Sequence, residues 1–220
     1  MKTRIVALAA LAATACNLGG ALTQKGKPLE VRYFTPATPA AGEGTTASPP
    51  IAGPAPAATP LELRLGRVEA ASYLREKIAY RDSGEEVGYY ESLRWTETPD
   101  AFVRRALGRA LFEQHGLAEV VSGVAPQLEV EVIAFEELRA PSHAVRVELS
   151  WKLRDHRNVL VQRTTRVEKP VDGDEPGRIA VAMGAALDEA VETLAGEVVT
   201  ELSRPRVRSG AEVPDARVAR

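Results

Sequence analysis

Between Leu61 and Leu202 the chain switches repeatedly between two hydrophobic periods, and the switches divide it into strands and helices. Leu61, Leu63 and Leu65 alternate with Glu62, Arg64 and Gly66, the period of two expected of a half-buried strand. Lys77–Arg81 and Val87–Tyr90 flank Asp82-Ser83-Gly84-Glu85, a hairpin turn signal. Thr98 followed by Pro99 predicts a helix start, with a capping hydroxyl and a proline at the first helical position. Phe102, Ala106, Ala110 and Leu111 then share one face, opposite Arg104, Arg105 and Arg109, and Gly116 ends the helix. Three long strands are predicted next. Leu128, Val130, Val132 and Ala134 alternate with Glu129, Glu131 and Ile133. Val145, Val147, Leu149, Trp151 and Leu153 point inward against Arg146, Glu148, Ser150, Lys152 and Arg154, and Asp155-His156-Arg157-Asn158 turns into Val159–Val167. Finally Ile179, Met183, Leu187, Val191, Leu194, Val198 and Leu202 form a helical stripe, which Arg204-Pro205 stops. Strands in runs with two one-faced helices predict an α+β domain over 61–203. Its antiparallel or mixed sheet would carry both amphipathic helices on one face.

The chain before residue 61 has no such pattern, apart from Leu29–Phe34, which reads as a candidate first strand (29–34). Residues 35–60 contain seven prolines among Ala, Gly, Ser and Thr, with Ile51 the one large apolar side chain. A segment of that kind cannot bury enough apolar surface to offset its ordering entropy, so it reads as an extended Pro/Ala-rich linker. At polyproline rise it spans at most about 80 Å. Closing it as a loop costs about 3 kcal/mol beyond a constant. Docking of Val31, Tyr33 and Phe34 in the main sheet could offset that cost. The tail, 204–220, is polar and predicted to be disordered.

At the start, Lys2 and Arg4 precede an uncharged apolar run, Ile5 to Ala13, and small residues up to Cys16. This is the layout of an export signal over 1–15, and the run is far shorter than the roughly 20 residues that span a bilayer. The cysteine directly after the small-residue box resembles the bacterial lipoprotein signal, in which that cysteine is acylated and becomes the mature N-terminus. Residues 16–28 would then be a lipidated tether. Ala13-Thr14-Ala15 also suits the general signal peptidase, which would leave Cys16 a free thiol. Acylation changes the physics: each buried methylene contributes about 0.8 kcal/mol, and two or more chains anchor stably. Asn17, where Asp would favour retention at the inner membrane, points to the outer membrane.

Composition narrows the function classes. Among 220 residues, Lys and Arg number 28 and Asp and Glu 30, for a net charge of -2, which gives no reason to expect nucleic-acid binding. A single cysteine excludes an intramolecular disulfide and a Cys-based zinc cage. His115, His143 and His156 are scattered, with no second ligand at metal spacing. No serine stands in a Gly-x-Ser-x-Gly setting, and there is no phosphate loop. No catalytic residue, cofactor or metal is therefore expected. Tyr73, Tyr80, Tyr89, Tyr90 and Trp95, five of eleven aromatics, fall within 23 residues. Tyr89 and Tyr90 must face opposite ways in a strand, so Tyr73, Tyr89, Tyr90 and Trp95 form a candidate interaction surface.

The stretch Ser72-Tyr73-Leu74-Arg75-Glu76-Lys77-Ile78-Ala79-Tyr80-Arg81 resembles the ABC-type transport auxiliary lipoproteins. So do the hairpin leading to Arg94-Trp95 and Pro99, the later Phe135, Trp151-Lys152-Leu153-Arg154-Asp155, and the Ala-rich last helix. The resemblance implies a non-enzymatic, periplasm-facing lipoprotein of the bacterial envelope, anchored in the outer membrane through Cys16. It further implies a docking role in phospholipid transport beside an MCE-domain protein and ABC transporter subunits, often as a ring of copies. A rival reading is an envelope structural or assembly lipoprotein that binds peptidoglycan or an outer-membrane protein. A small secreted hydrolase is a third.

Overall fold

A computed structural model describes residues 29–37 and 60–204. The expected signal peptide, Cys16 with its tether, residues 38–59 of the linker and the tail from 205 lie outside the described residues. Leu29 and Glu30, both exposed, belong to a first unit that ends at Glu30; everything below concerns the second unit, from Val31. Its strands are β1 (Arg32–Phe34), β2 (Glu62–Ala70), β3 (Lys77–Arg81), β4 (Gly88–Trp95), β5 (Ala118–Glu119), β6 (Gln127–Leu138), β7 (Ala144–Arg154) and β8 (Val159–Pro170). The helices are α1 (Pro99–Gly108), continued by a π-helical stretch over Arg109–Gln114, and α2 (Pro176–Leu202). Among the described residues no helix is long and apolar enough to cross a membrane.

All eight strands join one mixed sheet organised around β6. Along one edge β6 pairs antiparallel with β7, which pairs antiparallel with β8. The opposite edge takes two strands in succession, both parallel to β6. β2 covers Gln127–Val132, the chain leaves the sheet over residues 71–76, and β3 returns beside Glu136–Leu138. β5 adds to β2, β4 adds antiparallel to β3, and β1 adds parallel to β4. The α+β architecture is thus a mixed sheet with two helices, and the Arg32–Phe34 strand lies in it.

Directly opposed residues share a face, so the register gives the layering. Leu128, Val130 and Val132 oppose Leu153, Trp151 and Leu149, and all six are buried on the face that α1 and α2 cover. Val103, Leu107 and Leu111 of the first helical stretch, and Met183, Ala186, Leu194 and Val198 of α2, supply the other half of the core. At roughly 1.5–3 kcal/mol per fully buried large apolar side chain, this layer dominates the fold. The α1 start differs in one detail from expectation. Thr98 is the N-cap residue and Pro99 follows, but the Thr98 hydroxyl makes no capping bond. Its carbonyl instead accepts from the Ala101 N–H at 3.0 Å.

Simple alternation fails at two places, each with a physical cause. In β6 the register shifts between Val132 and Ala134, so Ile133 is an inserted bulge residue and the faces exchange beyond it. Phe135, opposite Val147, turns toward the helices, while Ala134, opposite Glu148, lies on the other face. The expected inward row of Leu128, Val130, Val132 and Ala134 therefore ends at Val132. In β2 a shift between Leu65 and Val68 does the same, which is why Val68 is buried on the same face as Leu63 although the two are five residues apart.

Candidate functional site

The aromatic stretch and the bulge in β6 meet at one corner of the sheet, where β3, β4, β6 and β7 come together. There β6 carries Glu136 and Glu137, adjacent acids that are 1% and 2% exposed on opposite faces. A buried carboxylate is costly unless paired, and each is paired. On the helix-free face Arg81 Nε donates to Glu136 Oε1 at 2.7 Å, and Arg146 stands 3.8 Å from the same oxygen. The Tyr73 hydroxyl lies 2.8 Å from the Ile133 carbonyl and 3.2 Å from Glu136 Oε2, and can donate to either. Tyr73 thus ties the segment between β2 and β3 to the bulge. The Tyr89 hydroxyl donates in turn to the Tyr73 carbonyl at 3.1 Å.

On the other face the Tyr90 hydroxyl donates to Glu137 Oε2 at 2.7 Å, and His143 Nε2 lies 2.7 Å from Oε1. Arg139 approaches Glu137 at 3.4 Å and lies over the Tyr80 ring, 3.4 Å from its centroid, and the Tyr90 ring at 4.7 Å. The two rings meet edge to face at 5.2 Å. Burial, reinforced by the charge of Glu136, pushes the Tyr73 phenol up to about 12. Burial and the hydrogen bond to Glu137 push Tyr90 up to about 12. The hydrogen bond to Glu136 raises the Arg81 guanidinium above its ordinary value. The corner therefore holds neutral phenols and charged arginines at physiological pH, with both buried carboxylates hydrogen-bonded.

This arrangement revises the candidate surface. Trp95 is 1% exposed: it packs edge to face on Phe135 at 5.4 Å and Phe102 at 6.3 Å, inside the core. The inward period of β4 places it there, so it presents nothing to a partner. Tyr73, Tyr89 and Tyr90 are half-buried, and each spends its hydroxyl within the domain. Glu136, Glu137, Arg81, Arg139 and His143 were missed by the sequence reading. Its one signal was the loss of alternation over Phe135-Glu136-Glu137-Leu138, since two adjacent acids in a buried strand must occupy both faces.

Elsewhere several polar groups are likewise committed. His115 Nε2 lies 2.9 Å from Glu192, and Arg109 pairs with Asp188 at 3.2 Å. A trough of about 480 Å³ on the helix-free face is lined by Arg67, Glu69, Gln127, Glu129, Glu131 and Lys152 among others. Four of its charges pair with one another, Arg67 with Glu69 and Lys152 with Glu129, each at 3.0 Å. Among the described residues no group of three or more His, Cys, Asp or Glu is placed to hold a metal ion.

A family model described as "ABC-type transport auxiliary lipoprotein component" matches residues 45–195. Among solved structures, a protein from Xanthomonas campestris, XCC0632, described under the family model DUF330, is 22% identical with a TM-score of 0.59. That match covers 65% of this chain and 86% of the other. A second structure, of an uncharacterized protein, is 18% identical with a TM-score of 0.56, over 63% of this chain and 92% of that one. At these identities the likeness is one of fold. No curated protein matches the chain.

Proposed function

We propose a docking role from one premise: the chain belongs to the ABC-type transport auxiliary lipoprotein family. In this reading the protein is a non-catalytic lipoprotein facing the periplasm, held to the outer membrane by acyl chains on Cys16. It serves as an auxiliary component of an MCE-type phospholipid transport system. The MCE-domain protein and the ABC transporter subunits would supply the lipid conduit and ATP hydrolysis. The observation that carries the reading is the family match itself, which runs from the linker through β2 to Ala195 in α2. The internal pairing of the buried acids, arginines and tyrosines supports it, because these groups act as structural ties.

The test is affinity purification of the acylated protein from crosslinked, detergent-solubilised envelopes. Recovery of an ATPase, a permease and an MCE-domain subunit is expected. Peptidoglycan or outer-membrane assembly proteins, recovered without any transporter subunit, would replace the docking role by an envelope structural one. Mass spectrometry of the mature N-terminus tests the anchor separately. An acylated Cys16 is expected, and a free thiol there would remove the lipid from the account.

A further inference from the structure

Tyr33 is 63% exposed although it lies inside a strand, and Val31, two residues earlier, is 40% exposed. The register says which way Tyr33 points. Phe34 pairs with Trp95, a core residue beneath the helices, so the neighbouring pair, Tyr33 with Arg94, lies on the helix-free face. Arg94 is in turn opposite Lys77 of β3. Tyr33, Arg94 and Lys77 thus form one row across β1, β4 and β3, at the point where the chain enters the domain.

The two cations of this row differ from those of the long strands. Arg146, Lys152 and Arg154 of β7 and Arg163, Arg166 and Lys169 of β8 each stand beside a carboxylate. Among the described residues Lys77 is exposed with no acidic partner, and Arg94 donates only to the Tyr90 and Leu93 carbonyls, at 3.0 and 2.9 Å. Glu76 and Glu91 are exposed close by in sequence, and neither is drawn onto them. An exposed phenol and an aliphatic side chain beside unpaired cations match the headgroup zone of a bilayer, where amphipathic rings and basic side chains settle together.

We propose that this row rests on the bilayer that holds the anchor, with Lys77 and Arg94 against anionic headgroups and Tyr33 and Val31 at the boundary with the acyl chains. Charge complementarity is one argument for that occupant, and the chain outside the structure is the other. Residues 16–30 reach about 50 Å at full extension, carry Lys25 and Lys27, and end at Val31, beside the row. A tether of that length presents the bilayer at high effective concentration, so a contact of two cations and two apolar side chains suffices. The contact would set which side of the sheet faces the membrane and leave α1 and α2 turned away from it.

The proposal rests on the reading of Cys16 as the anchor, so the test supplies the anchor chemically and the two can fail separately. The chain from residue 16, whose single cysteine is Cys16, is coupled through that thiol to a maleimide lipid in vesicles of phosphatidylcholine mixed with phosphatidylglycerol. Acetylation of Lys77 by a water-soluble ester, read by peptide mass spectrometry, is expected to fall about fivefold or more against the same protein free in solution. Lys169, which pairs with Glu189 of α2, should label equally in both. Vesicles of phosphatidylcholine alone, or high salt, are expected to restore most of the Lys77 labelling. Tyr33→Ser and Arg94→Gln should each restore it on the mixed vesicles with an unchanged thermal midpoint, and Tyr33→Ser decides alone should the arginine variant disturb β4. Equal labelling of Lys77 on mixed vesicles and in solution overturns the proposal, as does protection that both variants keep. Protection that grows with concentration in the free protein also overturns it, and assigns the row to a second copy of the chain.

Discussion

The β6–β7–β8 meander with α2 and the corner formed by β1, β3, β4 and the end of β6 belong to one sheet but are held by different means. In the meander, strands adjacent in sequence pair antiparallel over nearly their whole length, and α2 packs on them through Met183, Leu194, Val198 and similar apolar side chains. In the corner, β3 reaches β6 in parallel over three residue pairs, and β1 reaches β4 in parallel over three. There the ties are polar and specific: Tyr73 to the bulge carbonyl, Arg81 to Glu136, Tyr90 and His143 to Glu137. Apolar burial is tolerant of chemistry and sensitive to volume, whereas a buried polar tie is sensitive to the loss of either partner.

Two substitutions test that contrast. Leu149→Ala empties a fully buried position opposite Val132 and Thr165 in the meander. It is expected to cost about 2–5 kcal/mol in urea unfolding, the range for a core leucine with partial collapse, and Leu149→Met should restore most of it. Glu136→Ala leaves Arg81 and Tyr73 without their shared acceptor and is expected to cost about 1–3 kcal/mol. Here Glu136→Gln, which keeps an acceptor and loses the charge, should recover only part. If Glu136→Leu proves as stable as the parent, the corner is held by packing and the contrast fails.

The same difference decides what could be read from the sequence. The period of two in β7 and the stripe in α2 predicted burial correctly residue by residue, because each side chain's environment follows from its own strand or helix. The hairpin joining β3 and β4 and the end of the helix at Gly116, where φ is 67°, were legible for the same reason. Ala134 was misplaced because a one-residue bulge has no hydrophobic signature of its own. Trp95 was mistaken for surface because aromatic density was taken as exposure. The partners of Glu136 and Glu137 were invisible for a stronger reason. Arg81 is 55 residues from Glu136 and Tyr90 is 47 from Glu137, and only the parallel pairing of β3 with β6 brings them together.

A third substitution addresses the way β1 is fastened. The chain after β1 crosses α2, where the Ala37 N–H donates to the Ala180 carbonyl at 3.0 Å. A Cβ at Gly184 would collide with the Ala37 carbonyl. Gly184→Ala therefore gains about 1 kcal/mol of helix propensity and loses about 1 kcal/mol of hydrogen bonding, so global stability should hardly move. Local stability should: the segment around Ala37 is expected to become more sensitive to limited proteolysis while β7 and α2 stay protected. A cooperative loss of the whole fold would show instead that β1 and the meander stand or fall together.

The smallest effect gives the cleanest separation of the two regions, because all five tyrosines lie between Tyr33 and Tyr90 and none lies in β6, β7, β8 or α2. Tyr73 and Tyr90 ionise at about 12 in the folded protein, against an ordinary value of 10.0. Between those values the native state holds protons that the unfolded chain has released, so stability falls as pH rises through that window and the contribution is complete below it. Unfolding followed by urea at a series of alkaline pH values should show this decline, with Tyr73→Phe and Tyr90→Phe each flattening the slope. Ultraviolet titration of the native protein should find two phenols that ionise late. Both groups are only half-buried, so solvent screening reduces the effect below the full value of the shift. A decline of unchanged slope in both variants would overturn the assignment of the alkaline weakness to these two phenols.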